Sequence, residues 1–180
     1  WWKSTGAPPV IYDSLLARKS AKQIRLFVYN KGYFNNTVKD SVGLPHSKKV
    51  KAYYIVHEGK PYTIRNVSYE IKDGQLEYYV LSNASNSLIT RGINYDVDVL
   101  QQERDRITDE LRNAGYFYFS KEYIYYEVDS AIGTHEVDIT LGLKNPVKKV
   151  DGENSASGKD SLVETSHNRY YMKNFKATKN

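Results

Sequence analysis

Four histidines, His46, His57, His135 and His167, are the residues best suited by type to ligate a metal or move a proton near neutral pH. None lies in a His-x-x-x-His pair, and the chain has no Cys to complete a mixed metal set. The lack of Cys also excludes disulfides and thiol nucleophiles. Ser87 has no nucleophile-elbow context, and no glycine-rich phosphate loop occurs. Carboxylates gather at Glu103, Asp105, Asp109 and Glu110, but they alternate with Arg104, Arg106 and Arg112. Local ion pairs and solvation explain that run better than general acid–base catalysis. The expectation is therefore no catalytic, cofactor-binding or metal-ligating residue. What remains is the chemistry of the backbone, above all in the tyrosine-rich stretch Tyr123-Ile124-Tyr125-Tyr126, whose β propensity is strong.

The elements that carry this stretch are bounded by composition. A chain of 180 residues makes one or two small domains, and 40% hydrophobic residues suffice for a core. The longest apolar run is Ala52-Tyr53-Tyr54-Ile55-Val56, far short of the roughly 20 residues of a spanning helix. The chain begins at Trp1 with no charged-then-apolar leader, and it reads as a segment of something longer. Charge is uneven. Residues 1–62 hold 11 basic and 3 acidic side chains, residues 63–145 hold 8 and 14, and residues 146–180 hold 7 and 4. A basic stretch beside an acidic one opposes a continuous nucleic-acid surface.

An internal repeat organises the chain. Ala17, Ala21, Ile24 and Val28 recur at helical spacing, with Leu16 and Phe27 widening the stripe. Asp13 or Ser14 can cap this helix and Gly32 can close it. A second stripe runs Val97, Leu100, Arg104, Ile107, Leu111, Ala114, from a cap at Asp96 to Gly115. Arg104 interrupts it, with its stem expected along the apolar face and its head in solvent. Asn30-Lys31-Gly32-Tyr33-Phe34 matches Asn113-Ala114-Gly115-Tyr116-Phe117 at an offset of 83 residues. Gly32 and Gly115 suit a left-handed helix cap, and the aromatics after them suit packing. Alternation then predicts half-buried strands at Ala52, Tyr54, Val56 and at Val137, Ile139, Leu141. Pro61 and Pro146 stop them. A strand at about 62–71 has an echo at Tyr170-Tyr171-Met172-Lys173-Asn174-Phe175, after a polar stretch containing residues 151–160. Between strand and second stripe, Asp73 can cap a weaker helix over about 74–90 that carries Leu76, Val80, Ala84 and Leu88. Two further strands, near 119–129 and 135–144, close the unit.

The order β-α-α-β-β and these phrases resemble the POTRA (polypeptide-transport-associated) repeats of BamA/TamA-type outer-membrane assembly factors. The likeness rests on Glu103-Arg104-Asp105-Arg106-Ile107-Thr108, Leu111-Arg112-Asn113 and Gly115-Tyr116-Phe117. It continues through Phe119, Lys121-Glu122-Tyr123-Ile124, Val128-Asp129 and Val137-Asp138. Pro9-Val10-Ile11-Tyr12-Asp13 looks like the TamA-like lipoproteins of Bacteroidetes. The resemblance implies an α+β fold of tandem units, each a three-stranded mixed sheet covered on one face by two helices. It divides the chain into an incomplete unit (1–61, lacking its first strand), a complete unit (62–146), a polar connector (147–168) and the first strand of a following unit (169–180).

The same resemblance implies a periplasmic, non-catalytic arm at the outer membrane of a Gram-negative bacterium, followed in the parent protein by a membrane barrel. Its partners would be unfolded outer-membrane proteins and accessory assembly subunits, with no cofactor and no nucleic acid. It also implies that the strand from Phe119 to Val128 is a sheet edge. Phe119, Tyr123, Ile124, Tyr125, Tyr126 and Val128 are then the candidate peptide-binding residues, guarded by Lys121, Glu122 and Glu127. In the first unit the corresponding segment runs from about Phe34 to Val42. Gly32, Tyr33, Phe34, Gly115, Tyr116 and Phe117 take structural roles as caps and packing residues. Two other readings are a soluble scaffold without a barrel and a nucleic-acid-binding module. The latter rests on the basic N-terminal third and on Lys31-Gly32-Tyr33-Phe34, which is faintly similar to an RNA-recognition motif.

Overall fold

The structure, a computed structural model, describes residues 11–46, 49–131, 133–150 and 161–174. The chain divides into two compact units, with the boundary between Tyr62 and Thr63. No helix among the described residues is long and apolar enough to cross a membrane.

Among the described residues, the first unit is one helix on one hairpin. Helix α1 spans Ser14–Asn30, and the Asp13 carboxylate accepts from the Leu15 N–H at 2.7 Å and the Leu16 N–H at 3.3 Å. That cap satisfies two of the donors a helix start leaves open. The helix closes at Gly32, whose φ of +90° favours glycine. Strands β1 (Thr37–His46) and β2 (Lys49–His57) pair antiparallel, from Thr37 opposite His57 to Gly43 opposite Lys51. Ala17 and Ala21 are buried beneath the helix, and Ile24 and Val28 are half-buried. Leu16 and Phe27, the expected wings of the stripe, are exposed. Alternation along β2 shows only at Tyr54, since Ala52 and Val56 are exposed. Among the described residues, the two-stranded ribbon and its single helix supply no partner that would bury both. The last residue of the unit returns to the helix end: the Tyr62 N–H donates to the Gly32 carbonyl at 2.8 Å. Phe34 stacks between Tyr29 and Tyr62, with ring centroids 4.7 and 4.6 Å away.

The second unit has the β-α-α-β-β order with a mixed sheet. Strand β3 (Thr63–Ile71) leads to α2 (Gly74–Ser82), a 3-10 turn at Ala84–Asn86, and α3 (Val97–Asn113). A second 3-10 turn, Lys121–Tyr123, precedes β4 (Ile124–Asp129), and β5 (Glu136–Leu143) follows. The strand order is β3-β5-β4, with β5 parallel to β3 and antiparallel to β4. Val137, Ile139, Leu141 and Leu143 of β5 are buried, and Leu141 and Leu143 join a core with Leu76 and Val80 of α2 and Ile107 and Leu111 of α3. Asp73 caps α2 through Gln75 and Leu76, and Asp96 caps α3 through Asp98.

Three expectations need correction. Helix α2 stops at Ser82 rather than near residue 90. The Ser82 hydroxyl donates to the Tyr78 carbonyl at 2.6 Å and the Asn83 amide to the Tyr79 carbonyl at 3.0 Å. Such back-bonding suits a helix end. The polar stretch after Pro146 is not wholly a connector: β6 (Val147–Val150) and β7 (Ser161–Glu164) form an antiparallel ribbon. Residues Tyr170 to Asn174 carry no strand, and Phe175 lies outside the described residues. Instead, the Arg169 Nε donates to the Ala114 carbonyl at 2.7 Å and the Tyr170 N–H to the Gly115 carbonyl at 2.8 Å. The bond that ends the first unit at Gly32 therefore recurs at its counterpart, Gly115.

Candidate peptide-binding edge

Among the described residues, strand β4 pairs only with β5 and forms one edge of the three-stranded sheet. The opposite edge, β3, is partly occupied at its start. The Ile64 N–H donates to the Ile93 carbonyl at 2.8 Å, the Gly92 N–H donates to the Ile64 carbonyl at 2.7 Å, and Thr63 bridges Asn94. Open pairing groups on β4 follow from register. The Lys144 N–H donates to the Tyr123 carbonyl at 2.8 Å, which makes 123 and 144 a hydrogen-bonded pair. Antiparallel ladders alternate, so Tyr125, Glu127 and Asp129 also direct their backbone groups at β5. Ile124, Tyr126 and Val128 direct theirs outward.

The side chains alternate in step. Ile124 is buried in the core, Tyr126 is half-buried, and Val128 is 36% exposed. The Tyr126 hydroxyl donates to the Leu100 carbonyl at 3.0 Å, and the Arg104 guanidinium lies over its ring at 5.1 Å. Arg104 thus stacks on an aromatic face instead of sending its head into solvent, and its Nε is buried without a hydrogen-bond partner. Burial, reinforced by the Glu103 carboxylate, pushes the Tyr126 hydroxyl well above the ordinary tyrosine range, so it stays a donor. Tyr125 lies on the other face across Gly142, where an added Cβ would clash with the ring. The Lys144 ammonium sits 5.6 Å from that ring. Glycine in this central strand makes room for the close approach.

Phe119 and Tyr123 fall outside the strand. Phe119 is 1% exposed and belongs to the core, while Tyr123 ends the 3-10 turn. His167 packs against both, at ring-centroid distances of 5.0 and 4.7 Å, and its Nε2 lies 3.0 Å from the Lys144 carbonyl. The ladder ends there, because the Tyr123 N–H donates to Ser120 instead. Lys121, Glu122 and Glu127 are exposed along this stretch, and Lys121 pairs with Asp105 at 3.3 Å. In the first unit the corresponding strand is β1, which starts at Thr37, three residues after Phe34.

The structural residues divide. Gly115, at a φ of +101°, meets the Tyr170 carbonyl so closely that an added Cβ would sit 2.8 Å from it. Tyr116 is buried, with its hydroxyl 3.3 Å from Gln75 Oε1. Phe117 is 68% exposed and touches Tyr118 edge-on, so it is not a core residue. Tyr33 and Phe34 are half-buried.

Glu103, expected among solvated ion pairs, is fully buried. It accepts from the Ser87 hydroxyl at 2.8 Å and the Leu88 N–H at 2.9 Å, and it binds Arg106 through both oxygens at 2.9 and 2.6 Å. Burial alone would raise its pKa, but the hydrogen bonds from Arg106, Leu88 and Ser87 outweigh it and hold the carboxyl below the usual range. Its place was readable from helical spacing, three residues after Leu100 and four before Ile107. Gly142 was also readable, as a glycine within a strand. No local sequence signal marked His167.

No protein-family model and no curated protein matches the sequence. Among solved structures, POTRA domains 3–5 of BamA from Haemophilus influenzae are similar with a TM-score of 0.45 and 21% identity, over 70% of this chain and 48% of that one. BamA from Haemophilus ducreyi lacking POTRA domains 1–3 is similar with a TM-score of 0.46 and 15% identity, over 78% of this chain and 25% of that one. The chain thus spans about half the length of the first and a quarter of the second.

Proposed function

We propose that this chain is part of a periplasmic, non-catalytic POTRA-like arm that receives extended segments of outer-membrane barrel precursors, or docks accessory subunits, by strand addition at β4. The observation that carries the reading is the open edge of β4, where Ile124, Tyr126 and Val128 direct N–H and C=O groups away from β5. Main-chain pairing tolerates many sequences, which suits a receptor for varied clients. Exposed Lys121, Glu122 and Glu127 would limit uncontrolled pairing of such an edge. The β-α-α-β-β order and the Glu103 to Phe117 phrase support the POTRA-like reading.

The test is the register of the edge. Proline at Val128 removes an outward donor and is tolerated at such a position, whereas proline at Tyr125 would break the β4–β5 ladder itself. The probe is a synthetic ten-residue peptide of alternating apolar and polar residues, the pattern of a membrane β-strand. Val128→Pro should keep its circular dichroism and bind the peptide at least about tenfold more weakly, since about 1.4 kcal/mol of lost pairing is a factor of ten. Unchanged binding by the folded variant would remove β4 as the site.

A further inference from the structure

Equivalent faces of α1 and α3 carry opposite chemistry. At the 83-residue offset, the exposed positions Asp98, Gln102, Asp105, Asp109 and Arg112 of α3 correspond to Leu15, Lys19, Lys22, Leu26 and Tyr29 of α1. All ten residues are exposed within their own units. On α3 this face is polar throughout, as a face meeting water should be. On α1 it holds Leu15 at 65%, Leu26 at 60% and Tyr29 at 44% exposure, with two lysines between them. The buried side of α1 is a different one, built on Ala17 and Ala21.

Spacing makes this face a seam. Leu15, Lys19, Lys22, Leu26 and Tyr29 step by four, three, four and three residues, the interval that keeps a stripe facing one partner helix. Lys22, Arg25, Leu26 and Tyr29 line a concavity of about 330 Å³ along it. Helix α1 contains Arg18, Lys19, Lys22 and Arg25 and no acidic residue. We propose that this seam docks an acidic amphipathic helix of another protein, with apolar anchors against Leu15, Leu26 and Tyr29 and carboxylates against Lys19 and Lys22.

Other occupants fit less well. In a helix lying on a lipid surface, basic groups occupy the polar face opposite an unbroken apolar one. Here Lys19 and Lys22 sit inside the stripe, where insertion would carry two ammonium groups into the apolar layer. Residues 1–10 contain Lys3 and no acidic residue, so they do not complement the charge. The exposed face of α3 from a second copy is acidic but lacks apolar anchors.

The experiment uses the whole chain and two 21-residue amphipathic helical peptides, each with Leu at the outer seam positions; at the central seam positions that meet Lys19 and Lys22, one carries Glu and the other Lys. The Glu peptide should bind, more weakly as salt rises, and the Lys peptide should not. Leu26→Ala should weaken the Glu peptide at least about tenfold, as expected of a central apolar anchor. Lys19→Glu with Lys22→Glu should reverse the preference to the Lys peptide, which a merely destabilised variant would not do. Circular dichroism should be unchanged in both, because Ala17 and Ala21 are untouched. No binding of the Glu peptide, or binding indifferent to these substitutions, would overturn the proposal. So would capture by phosphatidylglycerol vesicles without peptide binding, or self-association of the chain abolished by Leu26→Ala.

Discussion

Helices α1 and α3 both start on an aspartate cap and end on Gly-Tyr-Phe, yet only α3 sits over a closed core. In the second unit, β3 lies beside β5 and α2 lies beside α3, and Leu76, Val80 and Ile64 are at most 3% exposed. In the first unit no described strand flanks β2 on its far side, and Ala17 and Ala21 are the buried apolar residues of its helix. The difference shows what a helix plus a hairpin is worth alone. Capping and periodicity are enough to specify α1, but burial on several sides is what excludes water from a core.

Substitutions can break this comparison, and the largest effect should come from the core. Leu76→Ala, at a fully buried site, should destabilise the second unit by about 2–5 kcal/mol. Ile24→Ala, at a half-buried site, should cost the first unit under about 1.5 kcal/mol. Hydrogen exchange read separately in each unit measures both, and equal losses would erase the contrast.

Next is the buried carboxylate. Glu103→Ala leaves the Leu88 N–H without its acceptor and Arg106 with Glu110 alone, and should cost about 1–3 kcal/mol. Ser20→Ala, at the equivalent position of α1, should be close to neutral. The acid response sharpens this pair. Glu103 has a folded pKa below its unfolded value of about 4.3, so its contribution is present above that pH. It is lost as pH falls through the lower folded pKa. Replacing Glu103 with Gln should flatten the acid limb of the second unit's stability curve.

A comparable effect tests the helix end. Gly115→Ala meets both a left-handed backbone and the Tyr170 carbonyl, whereas Gly92→Ala meets open space at a φ of +90°. The first should cost about 2 kcal/mol or more and the second about 1 kcal/mol, by thermal or denaturant unfolding. Smallest and most alike should be the caps: Asp13→Ala and Asp96→Ala should each cost about 0.5–2 kcal/mol. A large disparity between them would mean that the caps depend on the core.

Much of this architecture was legible because local signals agreed. Asp13, Asp96, Gly32 and Gly115 mark helix ends within a residue or two, and the period of Val137, Ile139 and Leu141 marks the inward face of β5. Misreadings came where tertiary contacts decided the outcome. Phe119 has the sequence look of a strand residue, but the core draws it inward before β4 begins at Ile124. Arg104 was read as a snorkelling side chain, but the ring of Tyr126, 22 residues away, offers it a face. The return of Arg169 and Tyr170 to the end of α3 is a long-range contact that no local pattern encodes.

That return has a mechanical meaning. Gly32 and Gly115 each hold, through one backbone carbonyl, the tyrosine that comes back across the helix end. A pull on the chain beyond Tyr170 should load that bond, the Arg169–Ala114 bond and the Tyr118 ring before it loads the β3-β5-β4 sheet. The contact should then act as a fuse that yields first and lets out a short length of slack before the folded core is loaded. Single-molecule extension would read it as a small early step ahead of the main rupture.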